Sequence, residues 1–156
     1  MCADGGSYAE KPSPLACKCS GISCNRPDVV RLLLATHSFL WFVGGDPRLS
    51  VLARREITDV SNERYLSIAS AWEIAIKTNL QKLRFSAPFP IFMNQIGQNA
   101  IDLLPVTLEQ LNVVANLPLH HRDPFDRLLI AQALTEGLPI VSADSMFDSY
   151  PITRLW

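Results

Sequence analysis

The residue patterns of this 156-residue chain predict an α/β fold in which helices cover both faces of a central, mainly parallel sheet. From about Val30 onward, short apolar runs typical of buried strands alternate with longer segments of helical periodicity. Strands joined by helical crossovers pair in parallel with right-handed connections, and no internal repeat interrupts the order. We therefore expect one three-layer α/β/α domain over residues 30–156.

The first half of this domain contains two predicted strands and three predicted helices. Thr36 is expected to cap the first helix and Ser70 the third. Trp72, Ile76 and Leu80 recur at helical spacing, so we expect the third helix to bury that stripe. The strands are expected at residues 29–34 and 65–68, and the helices at 36–42, 46–59 and 71–83.

The second half continues the alternation of strands and helices. Pro105 cannot donate a ladder hydrogen bond, so the strand that contains it should be short or lie at the sheet edge. Thr107 is a suitable cap for the helix that follows. Helices are expected at residues 90–99, 107–116 and 124–136, strands at 101–106, 140–142 and 152–155, and a turn at 146–150.

Residues 120–144 bring two acidic residues toward one place. Asp123 suits an N-cap and the proline after it the first helical position, so Asp126 falls in the first turn. The helix should end at Gly137. Asp144 follows the next strand and should emerge at the carboxyl edge of the sheet, where open α/β sheets bind ligands. A local explanation stays open for each acid, because both helix capping and Asx turns use aspartate.

Glu73 is expected at the start of a helix on the same rim as Asp126 and Asp144. The helix dipole alone would also favour a glutamate in a first turn. Three carboxylates in one crevice repel one another unless a cation or a shared proton compensates them. Oxygen ligands of this kind suit Mg²⁺ or Mn²⁺, and such sites support phosphodiester hydrolysis.

Composition and charge exclude two classes of protein. Hydrophobic residues make up 48% of the chain and charged residues 19%, but no apolar run approaches the roughly 20 residues that span a bilayer. We therefore expect no membrane association. The net charge of −1 lacks the basic excess of proteins that hold nucleic acid by bulk electrostatics. Any contact with nucleic acid must be local, or depend on a bridging cation.

Residues 1–29 combine Gly, Ser, Pro and Lys without hydrophobic periodicity, which predicts a disordered extension. All four cysteines lie there, and their spacing lacks the paired pattern of a structural zinc site. The segment also lacks the continuous apolar core of a secretory signal. We expect a cytoplasmic protein.

From Leu32 to the C-terminus, the chain resembles the PIN-domain nucleases, in particular the VapC-type toxins of toxin–antitoxin pairs. The resemblance implies a PIN-like parallel sheet between helices, a homodimer, a Mg²⁺ or Mn²⁺ site of acidic residues, cleavage of RNA, and a cognate antitoxin protein as partner. Four segments match the family pattern in order and spacing: LLLATHSFLWFVGGDPRLS, SIASAWEIAIKTNLQKLRF, LPVTLEQLNVVANLPLHHRDPFDRLLIAQALTEGLPIVSAD and TRLW.

The same resemblance assigns the site residues and shows one departure. Glu73, Asp126 and Asp144 match the family's catalytic and metal-binding acids, and Asp123 its accessory acidic position. Ala35 stands where the family has an aspartate that ligates the metal directly, in a pattern like L-L-D-T-H. Losing one such carboxylate commonly costs about 100-fold or more in rate, so activity should be impaired.

The departure at Ala35 leaves several functions open. The residue is either an engineered inactivating change or a natural one, and His37 is a poor replacement ligand for a hard cation. The alternative to an impaired ribonuclease is an inactive PIN-fold module that binds antitoxin or RNA without cleaving. A small-molecule phosphohydrolase is disfavoured, because no Gly-rich phosphate loop is present. Thr36, Arg122 and Ser142 are the candidate substrate-binding residues.

Aromatic residues of the predicted helices 36–42 and 90–99 suggest a site for the antitoxin. An amphipathic antitoxin helix would fit a groove lined by apolar rings, and the antitoxins of this family commonly reach the acidic site with a basic residue. Packing in the core or in a dimer is the alternative for Trp41 and Trp72. The candidate groove residues are Phe39, Trp41, Phe42 and Phe92.

Overall fold

A computed structural model describes residues 29–156, and residues 1–28, with the four cysteines of the predicted extension, lie outside the described part. No helix within the described range combines the length and the apolar composition needed to cross a bilayer. The elements are β1 (Arg31–Leu34), α1 (Thr36–Val43), α2 (Val51–Thr58), β2 (Glu63–Ser67), α3 (Ile68–Asn79), α4 (Phe89–Gln98), β3 (Ile101–Leu104), α5 (Leu108–Asn116), α6 (Pro124–Glu136), β4 (Ile140–Val141), a 3₁₀ helix (Ser145–Ser149) and β5 (Arg154–Leu155).

The five strands form one sheet in the order β3-β2-β1-β4-β5, and every pairing is parallel. The predicted mainly parallel sheet is confirmed. The chain builds outward from β1 in one direction through β2 and β3, and then returns to the other side of β1 with β4. The strand order therefore reverses between β1 and β4. The carboxyl ends of two such strands diverge into a crevice, which is where open α/β sheets bind their ligands.

Successive leucines of β1 pack on opposite faces of the sheet, because strand side chains alternate. Leu32 and Leu34 belong to a buried cluster on one face, completed by residues of α1, α2 and α4 such as Phe39, Ile57 and Ile96. Leu33 belongs to the cluster on the other face, completed by α6 residues such as Leu129 and Ile130. The predicted three-layer arrangement is thereby confirmed.

Several local predictions hold because they rest on short-range chemistry. The side chain of Asp123 caps α6 by accepting a hydrogen bond from the N–H of Phe125, and Gly137 ends the helix in a left-handed conformation. Thr107 caps α5 in a capping box with Gln110. Strand β3 ends just before Pro105 and is an edge strand.

One predicted helix cap and two predicted helix starts are wrong. Ala35, not Thr36, occupies the N-cap position of α1, and no side chain caps that helix. Helix α2 begins at Val51 after the capping side chain of Ser50, because Asp46 is engaged in a turn with Arg48. The N-cap of α3 is Ser67 rather than Ser70, because β2 runs directly into the helix without a loop. Glu73 therefore lies in the second turn of α3.

The predicted buried stripe of α3 is also wrong. Trp72 is 62% exposed and Leu80 is 55% exposed, whereas the buried side of the helix consists of small and polar residues and one isoleucine. Helix α3 packs against α1 and α6, and small side chains allow that close approach. The ring of Trp72 lies on the outside of this contact, edge-on to Phe125. The residues of the buried face are Ala69, Ser70, Glu73 and Ile74.

We expect Gly137→Ala to lower the free energy of unfolding by about 1 kcal/mol, because residue 137 has a φ of 64° that a β-carbon disfavours. Chemical denaturation followed by circular dichroism measures this change. The matched control is Gly97→Ala, at an exposed position in the last turn of α4 without atoms within 4 Å of the added carbon. That variant should be as stable as the wild type or about 0.5 kcal/mol more stable. Equal effects at both positions would contradict the assigned helix end.

Candidate metal centre

Two aspartates meet at the crevice between β1 and β4. Asp144 follows β4 and begins the 3₁₀ helix, where its Oδ1 accepts a hydrogen bond of 2.8 Å from the N–H of Met146. Asp126 lies in the first turn of α6. Within residues 29–156, these two carboxylates and the imidazole of His121 form a group whose potential ligand atoms all lie within 4.8 Å of one another.

The ring of His121 stands between the two carboxylates. Its Nε2 lies 2.8 Å from Oδ2 of Asp144 and 3.4 Å from Oδ2 of Asp126. The backbone N–H of His121 is fixed by the hydroxyl oxygen of Tyr150 at 2.9 Å. His120 and His121 are adjacent in the sequence. The structure separates them: His120 packs against the ring of Tyr150, and His121 enters the acidic site.

Glu73 reaches the same region from α3 but is not a member of this three-residue group. Its side chain is buried and bonded at both oxygens. The hydroxyl of Thr36 donates to Oε2 at 2.5 Å, and the ammonium of Lys77, one helical turn away, pairs with Oε1. These contacts link α1 to α3 and orient the carboxylate. Glu73 is close enough to raise the pKa of Asp126.

The electrostatic environments of the two aspartates differ. Burial, followed by the negative charges of neighbouring carboxylates, raises the pKa of Asp126 from 3.8 to about 6, although His121 opposes the shift. Partial burial also acts to raise the pKa of Asp144, but hydrogen bonds from His121 and from the N–H of Met146 outweigh it and lower the pKa. Crowded negative charge with insufficient compensation is the condition that a bound cation relieves.

Carboxylate oxygens from Asp126 and Asp144, with Glu73 at the same edge, match the oxygen ligands that Mg²⁺ and Mn²⁺ prefer. The residues present therefore fit a divalent cation. Asp123 is exposed and its carboxylate caps α6, so it contributes negative charge at the rim, where it raises the pKa of Asp126.

Ala35 directly follows β1 and is fully buried. Its extended backbone is an N-cap conformation, its N–H donates to the carbonyl of Val141 at 3.1 Å, and the start of α1 lacks a side-chain cap. The hydroxyl of Ser38, three residues later, is buried without a hydrogen-bond partner. An aspartate is among the best N-cap residues. Position 35 thus has a local structure that suits an aspartate better than the alanine it carries.

His37 does not offer a replacement ligand. Its Nε2 accepts a hydrogen bond of 3.0 Å from the N–H of Ala143, and burial lowers its pKa, which keeps the ring neutral. This bond ties α1 to the loop that carries Asp144. Ser142, fully buried in the same loop, accepts a bond of 3.1 Å from the N–H of Asp144.

The three predicted substrate-binding residues fall into two groups. Thr36 and Ser142 are buried, and their hydroxyls bond Glu73 and the Asp144 loop respectively, so positioning these acids is the role that their contacts indicate. Arg122 is exposed and directly follows His121 in the sequence. Contact with a substrate stays a prediction for all three.

These observations define a class of protein. It is a layered α/β domain with an acidic crevice at the point where the strand order reverses. The sequence matches the PIN domain family over residues 32–152, so the chain belongs to that family. A comparison with curated protein sequences gave no significant match.

Solved structures share this fold at low sequence identity. VapBC2 from Rickettsia felis, solved bound to a DNA fragment from its promoter, aligns with a TM-score of 0.61 and 13% identity, covering 80% of this chain and 97% of that one. FitAcB from Neisseria gonorrhoeae aligns with a TM-score of 0.50 and 15% sequence identity, covering 79% of this chain and 95% of that one. PAE2754 from Pyrobaculum aerophilum aligns with a TM-score of 0.50 and 13% sequence identity, covering 81% of this chain and 83% of that one.

We expect Asp126→Asn to raise the free energy of unfolding of the metal-free protein by about 1–2 kcal/mol at pH 7. The pKa of Asp126 is higher in the folded chain than its ordinary value, so stability is lost as the pH rises from about 4 to about 6 and the carboxyl ionises. The amide cannot ionise. A shift of this size corresponds to about 3 kcal/mol, which we reduce because the side chain is 26% exposed.

Thermal or denaturant unfolding in EDTA, repeated between pH 4 and pH 7, measures the difference between Asp126→Asn and the wild type. The advantage of the variant should be absent at pH 4 and grow as the pH rises. A difference that does not change with pH would show that Asp126 ionises normally.

Proposed function

We propose that this chain is a Mg²⁺- or Mn²⁺-dependent endoribonuclease domain, the toxin component of a toxin–antitoxin pair, impaired as it stands by Ala35. The observation that carries the proposal is the meeting of Asp126 and Asp144 at the crevice between β1 and β4, where the pKa of Asp126 is raised. Membership of the PIN domain family supports a nuclease reaction. The resemblance to VapC-type toxins supports RNA as substrate, and a toxin of this kind would act in the cytoplasm.

Asp126, Asp144 and Glu73 are the residues that would hold the cation, with Asp123 adding negative charge at the rim. A divalent cation held by these residues would supply an activated water for attack on phosphorus and would offset the charge that develops there. The protein contributes orientation. Thr36 and Lys77 fix the carboxylate of Glu73. The phosphodiester would lie at the mouth of the crevice, where the exposed guanidinium of Arg122 could bind one of its oxygens.

The alternative is a catalytically inactive PIN module that binds antitoxin or RNA without cleaving. Ala35 favours it, because a fully buried methyl group cannot ligate a cation. The retained acids favour the impaired enzyme instead. Glu73 is buried, and its bonds to Thr36 and Lys77 hold its carboxylate at the site.

An apolar groove between α1 and α4 supports the expected antitoxin partner. It has a volume of about 490 Å³, and Trp41 and Phe92 line it as predicted. Phe39 and Phe42 do not line it: Phe39 is fully buried in the core behind the groove, and Phe42 packs against the same core. Phe85, stacked on Phe92 at a centroid distance of 3.7 Å, also lines the groove. An amphipathic antitoxin helix would bury these rings, and the resemblance further implies a homodimer.

Ala35→Asp should produce Mg²⁺- or Mn²⁺-dependent cleavage of RNA at a rate at least about 100-fold above that of the chain as it stands. The matched control is Ala35→Asn, which can cap α1 equally well but lacks the negative charge. Gel-based cleavage of a mixed single-stranded RNA pool measures both variants. In the Ala35→Asp background, Glu73→Gln or Asp126→Asn should abolish the gain.

Two results would contradict this expectation. Equal activity of the Ala35→Asp and Ala35→Asn variants would show that capping of α1, and not a ligand charge, restores function. No cleavage by Ala35→Asp with any divalent cation, although the protein is folded by circular dichroism, would favour the binding module.

A further inference from the structure

His121 has a place in the acidic site that neither the sequence pattern nor the family match assigns. Its imidazole occupies the space between Asp126 and Asp144, where a cation shared by the two carboxylates would have to lie. Two readings of this geometry are possible on chemical grounds. The ring is either a third ligand of the cation, or an occupant that the cation must displace.

The hydrogen bonds of the ring distinguish the two readings. The backbone N–H of Asp123 points at Nδ1 of His121 with an N···N distance of 3.3 Å, so Nδ1 offers a lone pair. The ring proton therefore lies on Nε2, which donates to Oδ2 of Asp144 at 2.8 Å. A nitrogen that carries a proton cannot ligate a metal. Metal-bound histidines usually donate their second ring N–H to an acceptor, and here that second nitrogen faces a donor instead.

We infer that His121 is a positioning residue that holds Asp144 beside Asp126 through its Nε2–H and lowers the affinity of the site for divalent cations by competing with them. This inference rests on the proposed metal site. The ring replaces part of the attraction that a cation would supply, so the carboxylates stay close without one. Loading of the site requires the Nε2–H to leave Asp144.

The contacts around His121 allow its Nε2–H to leave Asp144 by a rotation of the side chain alone. Its backbone N–H is held by the hydroxyl of Tyr150, which in turn donates to the carbonyl of Pro118 at 2.9 Å. The ring itself is tilted against Phe147, at a centroid distance of 5.7 Å, and is 12% exposed. Rotation of the side chain therefore breaks the bonds to Asp144 and to the N–H of Asp123 while the loop stays anchored.

The test compares the Mn²⁺ affinity of the full chain with that of two variants. Each variant can replace one of the two hydrogen bonds of the imidazole. In His121→Asn, the amide oxygen can replace Nδ1 as acceptor for Asp123, but no group replaces Nε2. In His121→Gln, the longer side chain can place an amide N–H where Nε2–H stood. Titration with Mn²⁺, followed by the EPR signal of the free ion, measures each dissociation constant. His120→Ala is the matched control, since His120 packs on Tyr150 and not on the acids.

We expect His121→Asn to bind Mn²⁺ about three- to tenfold more tightly than the wild type, because it loses one hydrogen bond to a charged acceptor in the metal-free state. His121→Gln should bind much as the wild type does, and so should His120→Ala. This rescue by glutamine is not expected if the ring only fills space. If the Mn²⁺ binding of the wild type is too weak to measure and only His121→Asn binds Mn²⁺ measurably, that result also agrees with the inference.

Weaker or unchanged Mn²⁺ binding by His121→Asn would overturn the inference. So would nitrogen coupling from a histidine ring in pulsed EPR of the Mn²⁺-loaded wild type, because it would identify His121 as a ligand. Both of these results would leave the proposed metal site intact. Absence of Mn²⁺ binding in the wild type and in every variant would instead remove the site itself, and with it both proposals.

Discussion

This structure depends on one constraint. A parallel sheet gathers carboxylates at one edge, and these carboxylates repel one another. The strand order reverses between β1 and β4, so the segments that follow these strands meet the start of α6 in one crevice. Each acid there has an assigned compensation. Lys77 and Thr36 bond Glu73, and His121 bonds Asp144. Asp126 has less compensation, and burial among like charges raises its pKa to about 6.

The polar side chains around this crevice hold its elements in register and contribute little to the apolar core. His37 ties α1 to the loop after β4 by accepting from Ala143, and Ser142 fixes the backbone of Asp144. An alanine interrupts this arrangement at position 35, where the first turn of α1 lacks a cap. The residues proposed to hold a cation are therefore present, while position 35 beside β1 carries no carboxylate. Such retention is the physical reason for proposing an impaired enzyme ahead of a module that never had this chemistry.

Local chemistry made part of the structure predictable, and tertiary contacts made the rest unpredictable. The Asp-Pro start and glycine end of α6 depend on neighbours within a few residues, and both were predicted correctly. The start of α3 was not, because two serines in S-I-A-S offer equivalent caps and only the length of β2 selects Ser67. Trp72 followed a helical apolar pattern, yet the buried side of α3 needs small residues. His121 meets Asp144 across 23 positions, which no local pattern reports.

We propose that Asp126 and Asp144 together bind a divalent cation. Anomalous diffraction from crystals of the full chain soaked in Mn²⁺ is the decisive test, because the anomalous signal locates the ion without reference to activity. We expect a peak in the crevice between β1 and β4, at a coordination distance of about 2 Å from one oxygen of each aspartate. Crystals that show anomalous peaks only at surface carboxylates away from this crevice, or none with Mn²⁺ at millimolar concentration, would contradict it.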